Sequence, residues 1–127
     1  MILNRRSRSA AAFSFFPQMT TRKILFLCSQ NKLRSPTAEA IFADTPGIEV
    51  DSAGLNHDAE VPLSPEQLEW ADTILVMKKA QQNRLTRHFG AYLKGKRIAV
   101  LNIPDDYEYM DPELIPLLKT RCAPYLP

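Results

Sequence analysis

Residues 23–42 read KILFLCSQNKLRSPTAEAIF, and this stretch decides the fold. Ile24-Leu25-Phe26-Leu27 is a short apolar run of the kind that forms a strand buried on both faces. Cys28 to Ser35 then lacks any apolar period and reads as a loop. Pro36 to Phe42 is helical in character, with Ser35 placed to act as N-cap and Pro36 at the first helical position. A strand, a tight polar loop and a helix therefore follow one another within twenty residues.

Working outward, the alternation continues. Pro46-Gly47 marks a turn and Ile48 to Ser52 a second strand. Residues 54–63 read as a loop, and Ser64-Pro65-Glu66-Gln67 opens a helix with a capping-box pattern. Thr73 to Met77 is a third strand. Lys79 to Phe89 is a polar-faced helix ending at Gly90, and Arg97 to Leu101 is a fourth strand. Residues 102–110 form a loop. Asp111-Pro112 is expected to begin a last helix, broken or kinked near Pro116. Strands alternating with helices predict a single three-layer α/β domain, a four-stranded parallel sheet flanked by helices on both faces, over residues 22–127. Ligands of such sheets bind beyond the carboxyl ends of the strands, where Cys28 falls.

The bulk properties agree with one globular domain. The chain has 127 residues, 45% of them hydrophobic and 24% charged, with a formal net charge of +2. That charge is too small to suggest nucleic-acid binding, and no apolar run reaches the length of a membrane span. Residues 1–21 form a basic extension with Arg5, Arg6 and Arg8 and no acid, expected to be disordered and excluded from the domain. Two cysteines, Cys28 and Cys122, do not make a secreted disulfide framework, so a reducing, cytoplasmic setting is expected.

The loop Cys28-Ser29-Gln30-Asn31-Lys32-Leu33-Arg34-Ser35 carries the chemistry. A loop that winds into a helix N-terminus directs successive backbone N–H groups inward and forms an anion nest. Arg34 is placed to grip two phosphate oxygens with its planar guanidinium. The thiolate form of a cysteine is the nucleophile, and cationic surroundings stabilise it. The Ser35 hydroxyl is placed to hydrogen-bond that thiolate. Asn31 tolerates a left-handed backbone and bonds locally, so it is placed to hold the loop in shape. Lys32 adds a cation at the mouth, which favours anionic substrates.

The segment 23–42 resembles the start of the low-molecular-weight protein tyrosine phosphatase family. Ser52-Ala53-Gly54, Ala71 to Met77 and Ile103-Pro104-Asp105 resemble further family segments in the expected order, so the resemblance covers roughly residues 22–126. It implies hydrolysis of phosphate monoesters, phosphotyrosine on proteins foremost, through a phosphocysteine intermediate on Cys28. An aspartic acid protonates the leaving oxygen and then activates water. No metal or organic cofactor is implied. The implied partner is a phosphorylated protein or a small phosphoester, with no nucleic acid and no membrane.

The same register makes Asp105 the general acid and Tyr107 an aromatic wall for the substrate, with Asp106 and Asp111 as the alternative acids. Gln30 and Leu33 depart from the family pattern, which usually has glycine and often a second cysteine there. The substrate-facing loop after Gly54 lacks the aromatic often found in the family, and His57 within it reads as a surface residue. Two other functions share these features. One is a non-catalytic phosphate or phosphoprotein binding module. The other is a thiol-dependent arsenate reductase, which needs a thiol relay that only Cys122 could join.

Overall fold

The computed structural model describes residues 21–127. The basic extension lies almost wholly outside them. Four strands, β1 (Arg22–Cys28), β2 (Ile48–Gly54), β3 (Thr73–Val76) and β4 (Arg97–Val100), form one sheet. All three pairings are parallel and the order is β2-β1-β3-β4. Four α-helices connect and cover them: α1 (Arg34–Phe42), α2 (Pro65–Trp70), α3 (Lys79–Phe89) and α4 (Leu114–Cys122).

The alternation of β1 sorts the core into two layers. Ile24, Phe26 and Cys28 face α1 and α4, joining Ala38, Phe42, Leu114, Leu118 and Cys122. Phe26 stacks on Phe42 with ring centroids 5.9 Å apart. Leu25 and Leu27 face the opposite side, among Leu68, Ile74, Val76 and Leu85 from the α2 and α3 side. Residues 24–27 of β1 are wholly buried, which is why that strand is apolar without interruption. The chain leaves β1 toward β2 on one side and returns to β3 on the other. The carboxyl end of β1 is thus the point where the strand order reverses and a crevice opens.

The predicted sheet and its four strands are present. Three local expectations need correction. First, Ser35 is not an N-cap: α1 begins at Arg34, its N-cap position is Leu33 without a side-chain cap, and the Ser35 hydroxyl is engaged by Cys28 instead. Second, the last helix begins at Leu114, after a turn in which Asp111 accepts from the backbone N–H groups of Glu108 and Glu113. Third, Pro116 does not break that helix. It is the third helical residue, where the missing N–H has no intrahelical acceptor to lose. The capping box at Ser64 and Gln67 is formed as read, and α3 covers the predicted residues before a 3₁₀ turn at Gly90–Tyr92.

Candidate active site

The loop between β1 and α1 curls around the Cys28 thiol, which is 3% exposed. Its shape is set from outside. The carbonyls of Cys28, Ser29 and Gln30 accept from the backbone N–H groups of Leu55, Asn56 and Glu60, at 2.9, 2.9 and 3.0 Å. Turning these carbonyls outward leaves the N–H groups of Ser29, Gln30, Lys32 and Leu33 without an acceptor among the described residues, as an anion nest requires. Gly54 permits this close approach. A Cβ there would lie 2.4 Å from Ala59 Cβ and 2.7 Å from the Ser29 carbonyl oxygen. The short loop after Gly54 therefore braces the loop between β1 and α1, and His57 on it is exposed.

Asn31 holds the loop from inside. Its φ is +56°, the left-handed conformation expected of it. Its backbone N–H donates to Cys28 Sγ at 3.2 Å, and its side-chain Nδ2 donates to Ser35 Oγ and Ser52 Oγ, both at 3.0 Å. Ser52 in turn donates to Glu39 Oε1 at 2.6 Å. Ser35 Oγ lies 2.9 Å from Cys28 Sγ. Because Ser35 Oγ accepts from Asn31, its own hydrogen is available for the sulfur. Two hydrogen-bonding groups, the Asn31 N–H and the Ser35 hydroxyl, thus converge on Sγ. Gln30 keeps a negative φ, so a side chain is accommodated where the family usually has glycine.

A cavity of about 260 Å³ opens above the sulfur, lined by Cys28, Ser29, Gln30, Lys32, Leu33, Arg34 and Asp105. Arg34 is 8% exposed, and its Nη1 donates to the Ile103 carbonyl at 2.9 Å. That bond ties the phosphate loop to the segment that carries Asp105. The same segment is anchored on either side: Arg121 Nη1 holds the carbonyls of Leu101 and Asn102, and Thr37 Oγ1 accepts from the Met110 N–H at 2.9 Å.

Of the three candidate acids, the structure brings Asp105 to this cavity. Asp106 is exposed and does not line it, and Asp111 is occupied in the turn before α4. Tyr107, expected as an aromatic wall, is not placed at this cavity. It is partly buried against the core layer that includes Leu114 and Leu118 of α4, where burying apolar surface is favourable. Tyr109, 53% exposed, lines an adjoining cavity together with Lys32, Pro36 and Val61. Cys122 is buried in the core, its thiol pushed up to about 12 by loss of solvation, and it does not line the cavity.

Sequence reading missed Ser52, Glu39 and Gln81 as supports of the loop. Gln81 carries a faint signal, since it stands three residues after the strand–helix turn, where a side chain reaches back to cap backbone N–H groups.

The sequence model for low molecular weight phosphotyrosine protein phosphatase matches residues 23–69, the span from β1 through most of α2. That segment of the chain is similar to the low molecular weight protein tyrosine phosphatases. That family consists of cysteine-dependent phosphatases. Solved structures agree on the fold. Wzb of Vibrio vulnificus, in complex with benzylphosphonate, has a TM-score of 0.67 at 22% identity over 82% of this chain and 96% of that one. The YwlE arginine phosphatase of Geobacillus stearothermophilus has a TM-score of 0.62 at 23% identity, covering 82% and 92%. YfkJ of Bacillus subtilis has a TM-score of 0.60 at 25% identity, covering 82% and 91%. Comparison with curated proteins gives no match.

Proposed function

We propose that this protein hydrolyses phosphate monoesters, phosphotyrosine on proteins foremost, through a phosphocysteine on Cys28. The carrying observation is the convergence of the Asn31 N–H and the Ser35 hydroxyl on a buried sulfur, at the floor of a cavity that also holds Arg34 and Asp105.

The chemistry follows from those positions. The phosphoryl oxygens sit in the nest of N–H groups and against the Arg34 guanidinium. Cys28 Sγ attacks phosphorus, forming the S–P bond as the ester P–O bond breaks. Asp105 gives its proton to the departing oxygen. In the second step Asp105 takes a proton from water as the water oxygen attacks phosphorus. The thiolate leaves, stabilised by the same two donors, and inorganic phosphate is released. Cys28 must stay reduced for this, which suits work in the cytoplasm.

The position of Cys122 argues against a thiol relay of the arsenate-reductase kind, because that thiol is buried in the core and away from the cavity lining. The presence of an acid at the cavity argues against a module that only binds phosphate, which has no use for one. Hydrolysis of para-nitrophenyl phosphate and of a phosphotyrosyl peptide, in EDTA, tests the proposal. Turnover by the wild type that is abolished in Cys28→Ser supports it. Turnover that survives Cys28→Ser, or none in the wild type, refutes it.

A further inference from the structure

Gln81, on the first turn of α3, is 4% exposed, and its side chain makes three hydrogen bonds with fixed polarity. Its Oε1 accepts from the backbone N–H groups of Met77 and Lys78, both at 3.0 Å. That leaves Nε2 with one direction, and it donates to Ser29 Oγ at 3.2 Å, across 52 residues of sequence. Ser29 follows Cys28 directly and lines the catalytic cavity. Its hydroxyl oxygen is held as an acceptor by Gln81, and its hydrogen has no acceptor among the described residues. A hydroxyl bound in this way presents its hydrogen to whatever occupies the cavity.

We infer that the Ser29 hydroxyl donates a hydrogen bond to the substrate's phosphoryl group, and that Gln81 is the positioning residue that aims it. This rests on the phosphatase reading above and adds a side-chain contact to the backbone nest. The alternative role for Gln81, capping α3 alone, uses only Oε1 and leaves the Nε2 contact without a purpose. A bond that reaches a charged oxygen is worth more than a neutral one, so losing it should be measurable in both binding and turnover.

The experiment measures inorganic phosphate affinity by calorimetry, kcat and KM on para-nitrophenyl phosphate, and melting temperature. The proteins are wild type, Ser29→Ala, Ser29→Thr, Gln81→Glu and the double variant Ser29→Ala/Gln81→Glu. Gln81→Glu keeps the oxygen that accepts from Met77 and Lys78 but replaces the donor to Ser29 with an acceptor, which draws the serine hydrogen away from the cavity. Ser29→Ala and Gln81→Glu should each weaken phosphate binding and kcat/KM by roughly tenfold, with Ser29→Thr restoring most of the loss. The double variant should be no worse than Ser29→Ala, because the two act as one unit.

Phosphate affinity and kcat/KM unchanged within about twofold in Ser29→Ala, or losses that multiply in the double variant, would overturn the inference. If Gln81→Glu fails to fold, Ser29→Ala against Ser29→Thr decides alone. A wild type that binds phosphate with the expected losses in the variants, yet turns over no ester, would leave this arrangement standing and refute the phosphatase reading instead.

Discussion

Asn31 donates a side-chain hydrogen bond to Ser35 Oγ at 3.0 Å, and this bond frees the Ser35 hydrogen for Cys28 Sγ, 2.9 Å away. The Asn31 backbone, at φ +56°, makes that geometry possible and also presents its N–H to Sγ. One residue therefore carries the loop conformation, the loop bracing and a contact to the sulfur together.

These roles separate by substitution. Asn31→Gly keeps the left-handed backbone but loses the amide, whereas Asn31→Ala loses both. Asn31→Ala should cost about 1–3 kcal/mol of stability, and Asn31→Gly less. Both should lower kcat/KM by at least roughly tenfold. Chemical denaturation beside steady-state kinetics measures the two effects. Full activity in Asn31→Gly would show that the amide is dispensable.

Gly54→Ala tests the brace. A methyl group there meets Ala59 Cβ at 2.4 Å and the Ser29 carbonyl oxygen at 2.7 Å, and the second is backbone that cannot swing away. The expected outcome is destabilisation by about 1–3 kcal/mol with impaired phosphate binding. A variant of wild-type stability and phosphate affinity would mean that the loop after Gly54 yields freely.

The acids should separate in the same way. Asp105→Asn should lower kcat by roughly 100- to 10,000-fold on esters with poor leaving groups, and less on para-nitrophenyl phosphate, whose leaving group needs little protonation. Asp106→Ala should leave kcat near wild type. Asp111→Ala should lower stability by about 0.5–2 kcal/mol, because it removes the acceptor for the Glu108 and Glu113 N–H groups. A larger kcat loss in Asp111→Ala than in Asp105→Asn would reassign the acid.

Cys122 predicts a pH dependence of stability. Its thiol is pushed up to about 12 in the folded protein from an ordinary value of 9.0, by loss of solvation. Above pH 9.0 the unfolded chain releases this proton while the folded chain keeps it, so stability falls as pH rises toward about 12. The slope is at most about 1.4 kcal/mol per pH unit. Denaturation of wild type and Cys122→Ala between pH 8 and pH 11 isolates the contribution, since other groups titrate alike in both. The wild type should lose its stability relative to the variant as pH rises. Parallel curves would refute the assignment.

What was legible in the sequence was what is contiguous in it. The apolar run of β1, the loop after it and the helix start lie within twenty residues, and their geometry follows from local rules. Asp105 was singled out only through the resemblance of Ile103-Pro104-Asp105 to a family segment, and it does line the cavity above Cys28. The supports at Glu39, Ser52 and Gln81 were not, because they meet the loop only through the parallel pairing of β1 with its two neighbours. The packing of Tyr107 was not legible for a related reason. The loop's path decides whether its ring meets the cavity or the core layer under α4, and that path is set by Arg34, Thr37 and Arg121 from three separated positions.

The most direct test of the central claim is to trap the covalent intermediate. Wild-type protein and Cys28→Ser are mixed with para-nitrophenyl phosphate, quenched in acid within milliseconds, digested and examined by mass spectrometry. A phosphocysteine mechanism predicts one phosphoryl group on the peptide containing Cys28 in the wild type, formed with a burst of nitrophenol. Steady turnover with no burst and an unmodified Cys28 peptide would contradict it.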